Sequence, residues 1–334
     1  MRLRFWNLAV LFAVSVALFL PLTARAVSCT TQSQMTQAER SLYERDARSL
    51  GTQIQAANVA AVRADTVAAV AAQFDSVAAS IQQVAPQIGK ATLTVHALYN
   101  LNALDMKAGA DQAEFFCSVP SSSLMVTVTI PQLPPGNYVL AVLHATGVEE
   151  PQQLSLILQN DPAASAQWKL AGLYIRPLTA AGHDGVWFWT QARALAEKKQ
   201  NWNSYFYYQT AEFLLNPVDF LSSPNLQKLQ KEAQEVRPAE LPGKDPLILK
   251  AAGENLEITR LRTEGFQGGL DLVVDYKAKD VSGPVATRTQ IVELMKAMLV
   301  RYPELRTAFH GLWVYAYGSS GQPFAIELPM NQIQ

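Results

Sequence analysis

The sequence predicts an α+β chain, and three observations carry that prediction. Residues 34–85 combine good helix formers with apolar residues at steps of three to five. Residues 90–175 alternate apolar and polar residues in short runs broken by prolines and glycines. Beyond residue 247 the alternation returns on both sides of one further helical stretch.

The first 26 residues precede that fold. Arg2 and Arg4 flank Met1, an apolar stretch runs from Phe5 to Leu22, and Ala24-Arg25-Ala26 sets small residues at alternate positions. This pattern predicts an export signal cut after Ala26, with an uncleaved anchor helix as the alternative. Ala26-Val27-Ser28-Cys29 resembles a weak lipobox, so acylation at Cys29 competes with a soluble periplasmic or secreted chain that has no membrane span. Cys29 and Cys117 are the two cysteines of the sequence. In an oxidising space they read as one disulfide, whose large loop is worth on the order of 4 kcal/mol.

Composition limits the function classes. Without residues 1–26, which hold three arginines and no acid, 24 basic and 28 acidic side chains remain, a formal charge of −4. No basic field exists to attract nucleic acid. At 16% charged and 49% hydrophobic residues, the chain has ample material for two or three packed domains.

In residues 34–85, Thr36 with Glu39 reads as a capping box and Gly51 as a stop. The alanine-rich run from Ala56 to Val84 places Val62, Val67, Val70, Phe74, Val77 and Ile81 on one face. That stripe reads as a helix laid on a sheet. After Pro86, strands are expected at 90–99, 115–117, 125–130, 138–143, 154–158 and 168–175, with turns at Pro134-Pro135-Gly136 and Asn160-Asp161-Pro162.

Helices followed by an antiparallel sheet, closed by "WKLAGLYIRP" at 168–177, resemble exported bacterial members of the nuclear transport factor 2 superfamily. The resemblance covers residues 34–177 of a first domain read as 27–177, and it implies helices on a curved sheet with a pocket between them. The Pro-Pro-Gly turn keeps a β-sandwich with a helical lead-in as the alternative. Of the residues that could serve such a pocket, His96 and His144 read as core or rim histidines.

Residues 183–236 hold a helical hairpin with a capping helix. Its segment 185–217 resembles one tetratricopeptide repeat, with Ala192, Ser204 and Ala211 at the small positions, Tyr208 at the aromatic one and Pro217 near the end. A single repeat cannot bury its own face and must lean on a neighbour. Trp187, Trp189, Trp202, Tyr205 and Tyr208 are candidate binding residues, for a protein partner or a stacked glycan, against a plain core role. Asp184 reads as the helix cap rather than as an acid–base partner of His183.

Residues 237–246 (RPAELPGKDP) read as a linker. Residues 247–334 predict a β-β-α-β-β domain of four antiparallel strands with a helix from Pro284 to about Phe309, and with Val285, Ile291, Leu294, Met295, Met298 and Leu299 on its apolar face. "FHGLWVYAYG" at 309–318 is the stretch there that looks like a site: His310 beside Gly311, then Trp313, Tyr315 and Tyr317 on one face. The plain alternative is an aromatic ladder packed on the neighbouring domain. Asp271, Asp275 and Glu327 belong to the same predicted sheet, but spacing alone does not bring them to His310.

No catalytic elbow (G-x-S-x-G), zinc-protease (H-E-x-x-H) or glycine-rich nucleotide motif occurs, and the four histidines have no metal-ligand spacing. The sequence therefore predicts neither a metal nor a cofactor. It reads first as a non-enzymatic exported interaction or scaffold module of the bacterial envelope. The alternatives are a secreted hydrolase or carbohydrate-active enzyme with a site near His310, and a small-ligand carrier using the pocket of the first domain.

Overall fold

The computed structural model describes residues 27–120, 124–161, 167–319 and 321–334. The leader predicted over residues 1–26 lies outside the described residues. No helix among the described residues is long and apolar enough to cross a membrane. The architecture is mixed α+β.

After β1 (Ser28–Thr31) comes α1 (Gln37–Gln55). Its capping box forms as expected: the Thr36 hydroxyl accepts the Glu39 N–H at 3.2 Å and the Glu39 carboxylate accepts the Thr36 N–H at 2.9 Å. The helix does not stop at Gly51. Glycine in a helix interior costs about 1 kcal/mol relative to alanine, but here a Cβ would sit only 3.0 Å from Leu143 and 3.3 Å from Leu93. The missing side chain lets α1 lie close on the sheet.

The alanine-rich run folds as three helices rather than one: α2 (Val59–Ala64), α3 (Ala68–Ala71) and α4 (Asp75–Ile88). The break has a hydrogen-bonding cause. Leu170 N–H donates to Asp65 O at 2.8 Å and Val67 N–H donates to Leu170 O at 2.9 Å, so the segment between α2 and α3 pairs with a strand edge.

Then follow β2 (Thr92–Asn102), β3 (Gln112–Ser118), β4 (Met125–Pro131), β5 (Asn137–Thr146), β6 (Gln152–Asp161) and β7 (Gln167–Pro177). Five of the strands form an antiparallel sheet in the order β1-β2-β5-β6-β7. Leu98, Leu143, Leu154, Leu156 and Leu170 on one face pack under Tyr43, Leu50, Ile54, Ile81 and Ile88 of the helices. On the other face Tyr138, Leu140 and Ile157 meet Phe115 and Val128 of β3 and β4. The predicted disulfide, Cys29 to Cys117, ties β1 to β3 across these layers. Its formation occupies the sulfur that acylation requires.

The pair β8 (Thr179–Ala180) and β9 (His183–Asp184) leads into α5 (Gly185–Glu197) and α6 (Asn201–Leu215). These helices approach closely at small residues: Ser204 Oγ donates to Ala192 O at 2.8 Å, and a Cβ on Gly185 would strike Leu215 at 2.5 Å. β10 (Leu221–Ser222) then hydrogen-bonds to the edge of β4, which makes a three-stranded sheet, before α7 (Pro224–Glu235).

The C-terminal sheet corrects the expectation of four antiparallel strands. It has five: β11 (Leu247–Ala251), β12 (Glu254–Phe266), β13 (Gly269–Lys277), β14 (Gly311–Tyr317) and β15 (Phe324–Pro329), in that spatial order. β13 and β14 run parallel because α8 (Pro284–Arg301), continued by a 3₁₀ turn over Pro303–Thr307, carries the chain back to the starting end. The helix thus stops eight residues short of Phe309. Val285 does not join its buried face and is 80% exposed, whereas Ile291, Leu294, Met295, Met298 and Leu299 pack on the sheet.

The hairpin and this sheet share one core, in which Phe188, Trp202 and Phe206 join Leu272, Val274, Met295 and Met298. Residues 237–246 are also held: Leu241 packs on that core, and the Glu240 carboxylate accepts hydrogen bonds from Arg301 at 2.7 Å and from Tyr302.

Candidate functional site

The candidate aromatics of the hairpin pack against the core, while Phe213 of α6 stays 50% exposed. Trp202 and Tyr208 are buried, and Trp187, Trp189 and Tyr205 are half-buried against the same core. Trp202 packs on Tyr302 with ring centres 4.4 Å apart, and Phe206 and Tyr207 pack on Phe309. Trp189 Nε1 donates to Glu232 of α7 at 2.7 Å, and Arg193 binds both oxygens of that carboxylate. Much of this dense ring surface is used in a core, with Trp187, Trp189 and Tyr205 left half-exposed. Asp184 caps α5, accepting the Trp187 N–H at 2.8 Å, and His183 stacks on the Trp187 ring at 3.7 Å.

The outer face of the C-terminal sheet presents a different picture. Strand alternation sends Leu272, Val274, Leu312, Val314 and Ile326 inward to α8 and the hairpin. It sends Asp271, Asp275, Trp313, Tyr315, Tyr317 and Glu327 the other way. Trp313 and Tyr315 are half-buried and Tyr317 is 41% exposed. Their rings follow one another at 6.0 and 6.4 Å, and Phe266 closes the row against Trp313 at 4.7 Å. The plain expectation placed this ladder against the neighbouring domain; its neighbour is Arg262, whose guanidinium lies 5.5 Å from the Tyr315 ring. Arg262 also bonds both oxygens of the nearly buried Asp275 at 2.8 Å.

At one end of the ladder three titratable side chains converge. Parallel pairing sets the starts of β13 and β14 side by side, and His310 N–H extends the ladder by donating to Leu270 O at 2.8 Å. His310 thereby stands over Asp271, with Nδ1 3.1 Å from Asp271 Oδ1. Antiparallel β15 brings Glu327 opposite Trp313, and one donor atom from each of Asp271, His310 and Glu327 lies within 4.8 Å of the other two. Two glycines clear the space. A Cβ on Gly269 would lie 2.4 Å from His310 Cβ. One on Gly311 would lie 2.7 Å from Glu327 Oε1 and 3.2 Å from Asp271 Oδ1.

The electrostatics are unbalanced. Asp271 is fully buried, and its Oδ2 has no hydrogen-bond partner among the described residues; the same holds for Glu327 Oε1 and for Trp313 Nε1. Burial pushes the Asp271 carboxyl above its usual range, against the pull of His310 and the Gly311 N–H. Burial also raises Glu327, and the neighbouring Asp271 charge adds to the shift. Chemically, this is one imidazole and two carboxyls on a glycine floor.

Sequence reasoning singled out His310, Trp313 and Tyr315 on this face but did not join His310 to Asp271 and Glu327, and it passed over Arg262. The available signal was the glycine after His310 and the pair Gly268-Gly269 two residues before Asp271; Glu327 has no glycine beside it.

The other histidines lie elsewhere. His96 and His144 stack at 4.1 Å on the first sheet, and His144 pairs with Gln153 at 3.1 Å. A cleft of about 1190 Å³ runs between the two halves of the chain, past Gln87, Glu149, Gln209, Arg237 and Glu264; the His310 cluster does not line it. No protein-family model, curated protein or solved structure matches this chain.

Proposed function

We propose that this chain is a non-enzymatic, exported interaction module of the bacterial envelope that works through the outer face of its C-terminal sheet. The observation that carries the reading is the row Phe266, Trp313, Tyr315 and Tyr317, with Arg262 beside it, half-buried along the outer face of the sheet and ending at the 41% exposed Tyr317. The disulfide supports an oxidising compartment. Helices on one face of the first sheet support the likeness to the nuclear transport factor 2 superfamily, and the three-stranded sheet on its other face favours the sandwich alternative. The close packing of α5 and α6 at small residues supports the tetratricopeptide likeness.

The hydrolase reading draws support from the two carboxyls at His310. Their donor atoms, within 4.8 Å, are closer than the roughly 5–5.5 Å at which two carboxyls flank a glycosidic bond, and they lie outside the large cleft between the two halves.

A photo-crosslinking residue placed at Tyr317, with a control at exposed Val300 of α8, tests the reading in living cells. An adduct of defined mass from position 317 and none from 300 is expected. Equal labelling at both positions, or none at 317, contradicts it. Intact mass before and after reduction tests export separately, with a start at Val27 and two thiols appearing on reduction expected.

A further inference from the structure

We infer that Asp271, His310 and Glu327 form a binding site for one divalent transition-metal cation of the zinc type. Two observations beyond the cluster itself point to a cation. Asp271 is fully buried and still has an oxygen without a partner, as does Glu327. A buried carboxylate oxygen left without a partner is destabilising, and a positive ion removes that cost. The second is the floor. Gly311 lacks the Cβ that would stand 2.7 Å from Glu327 Oε1 and 3.2 Å from Asp271 Oδ1, so the strand lets both acids crowd onto one point of its backbone, where their like charges favour a cation.

The donor set selects the ion class. One imidazole nitrogen and two carboxylate oxygens suit zinc or a similar borderline cation, whereas calcium and magnesium favour all-oxygen shells. Three protein donors leave one position of a tetrahedron for water or an external group, and His310, with its side chain 39% exposed, gives that position access to solvent. Bonds of about 2.0–2.2 Å would draw the donors together from their present 4.8 Å span. The inference holds whatever partner the neighbouring aromatic row engages.

The test is calorimetric titration of the untagged mature chain with zinc chloride alone, after chelator treatment, with calcium and magnesium as comparators. Saturation at one zinc per chain is expected, with no saturation by calcium or magnesium at the same concentrations. Glu327→Gln keeps the shape of the side chain, and His310→Ala acts at a half-exposed ring; each is expected to weaken zinc at least tenfold while circular dichroism stays unchanged. His96→Ala checks the one stacked histidine pair and is expected to leave binding intact. Absence of one-to-one zinc binding overturns the inference. Binding retained in both His310→Ala and Glu327→Gln, or lost in His96→Ala, also overturns it by placing the ion elsewhere.

Discussion

At the scale of single residues, the absence of one methyl group shapes the cluster around His310. Gly311→Ala would bring a Cβ to 2.7 Å from Glu327 Oε1 and 2.9 Å from Leu328 O. The second contact is backbone of the paired strand and cannot rotate away. Overpacking of this kind costs about 1–3 kcal/mol, so the urea midpoint should fall; an unchanged midpoint contradicts the geometry. A second residue-scale prediction concerns His144. Burial, then the neighbouring His96, holds its pKa below the usual imidazole value of 6.5. Between that value and the lower folded one, the unfolded chain binds more protons. Stability therefore falls as pH drops below about 6.5, while above it this group has no effect. His96→Ala removes the like charge and should move the His144 titration upward, as followed by proton NMR; an unmoved titration refutes the coupling. At this scale His310 and its aromatic neighbours were legible as alternation after a glycine. Asp271 and Glu327 were visible as acids of the same sheet, yet their meeting with His310 depends on strand order, which local spacing does not encode.

At the scale of elements, β-branched and aromatic content at a period near two, with turns between the runs, located β2 and β4 to β7, although β5 and β6 lie between two cores. Two features escaped for the same physical reason. The run after Ala56 breaks where Asp65 and Val67 pair with Leu170, a partner about a hundred residues away. The parallel pairing of β13 with β14 follows from the crossover through α8, and helix periodicity alone does not reveal the direction of return. The disulfide was readable from cysteine count, and its contribution belongs here as well. Cys29 and Cys117 are separated by 88 positions and join β1 to β3. Replacing both by serine should lower unfolding free energy by about 2–5 kcal/mol in denaturant titrations, since the unfolded chain regains the freedom of that loop. A loss below 1 kcal/mol would mean that the two sheets hold β1 without it.

For the whole molecule, the hairpin is structural. It reads in sequence as a single repeat that must lean on the first sheet domain or on its capping helix; its rings pack on the C-terminal sheet as well, and β10 binds the chain to the first unit. A fragment comprising residues 237–334 would expose Tyr302 and Phe309, which Trp202, Phe206 and Tyr207 cover, so it should lack a cooperative thermal transition, whereas residues 178–334 should retain one. A cooperative transition in the shorter fragment contradicts the shared core. The outer face of the C-terminal sheet sets unsatisfied polar atoms beside half-buried and exposed rings.

The measurement that tests this account most directly is zinc-edge X-ray absorption of the mature chain loaded with one equivalent of zinc. One imidazole with oxygen donors is predicted, and His310→Ala should abolish the imidazole signal. Two imidazoles, a sulfur donor, or a spectrum unchanged in His310→Ala would contradict it.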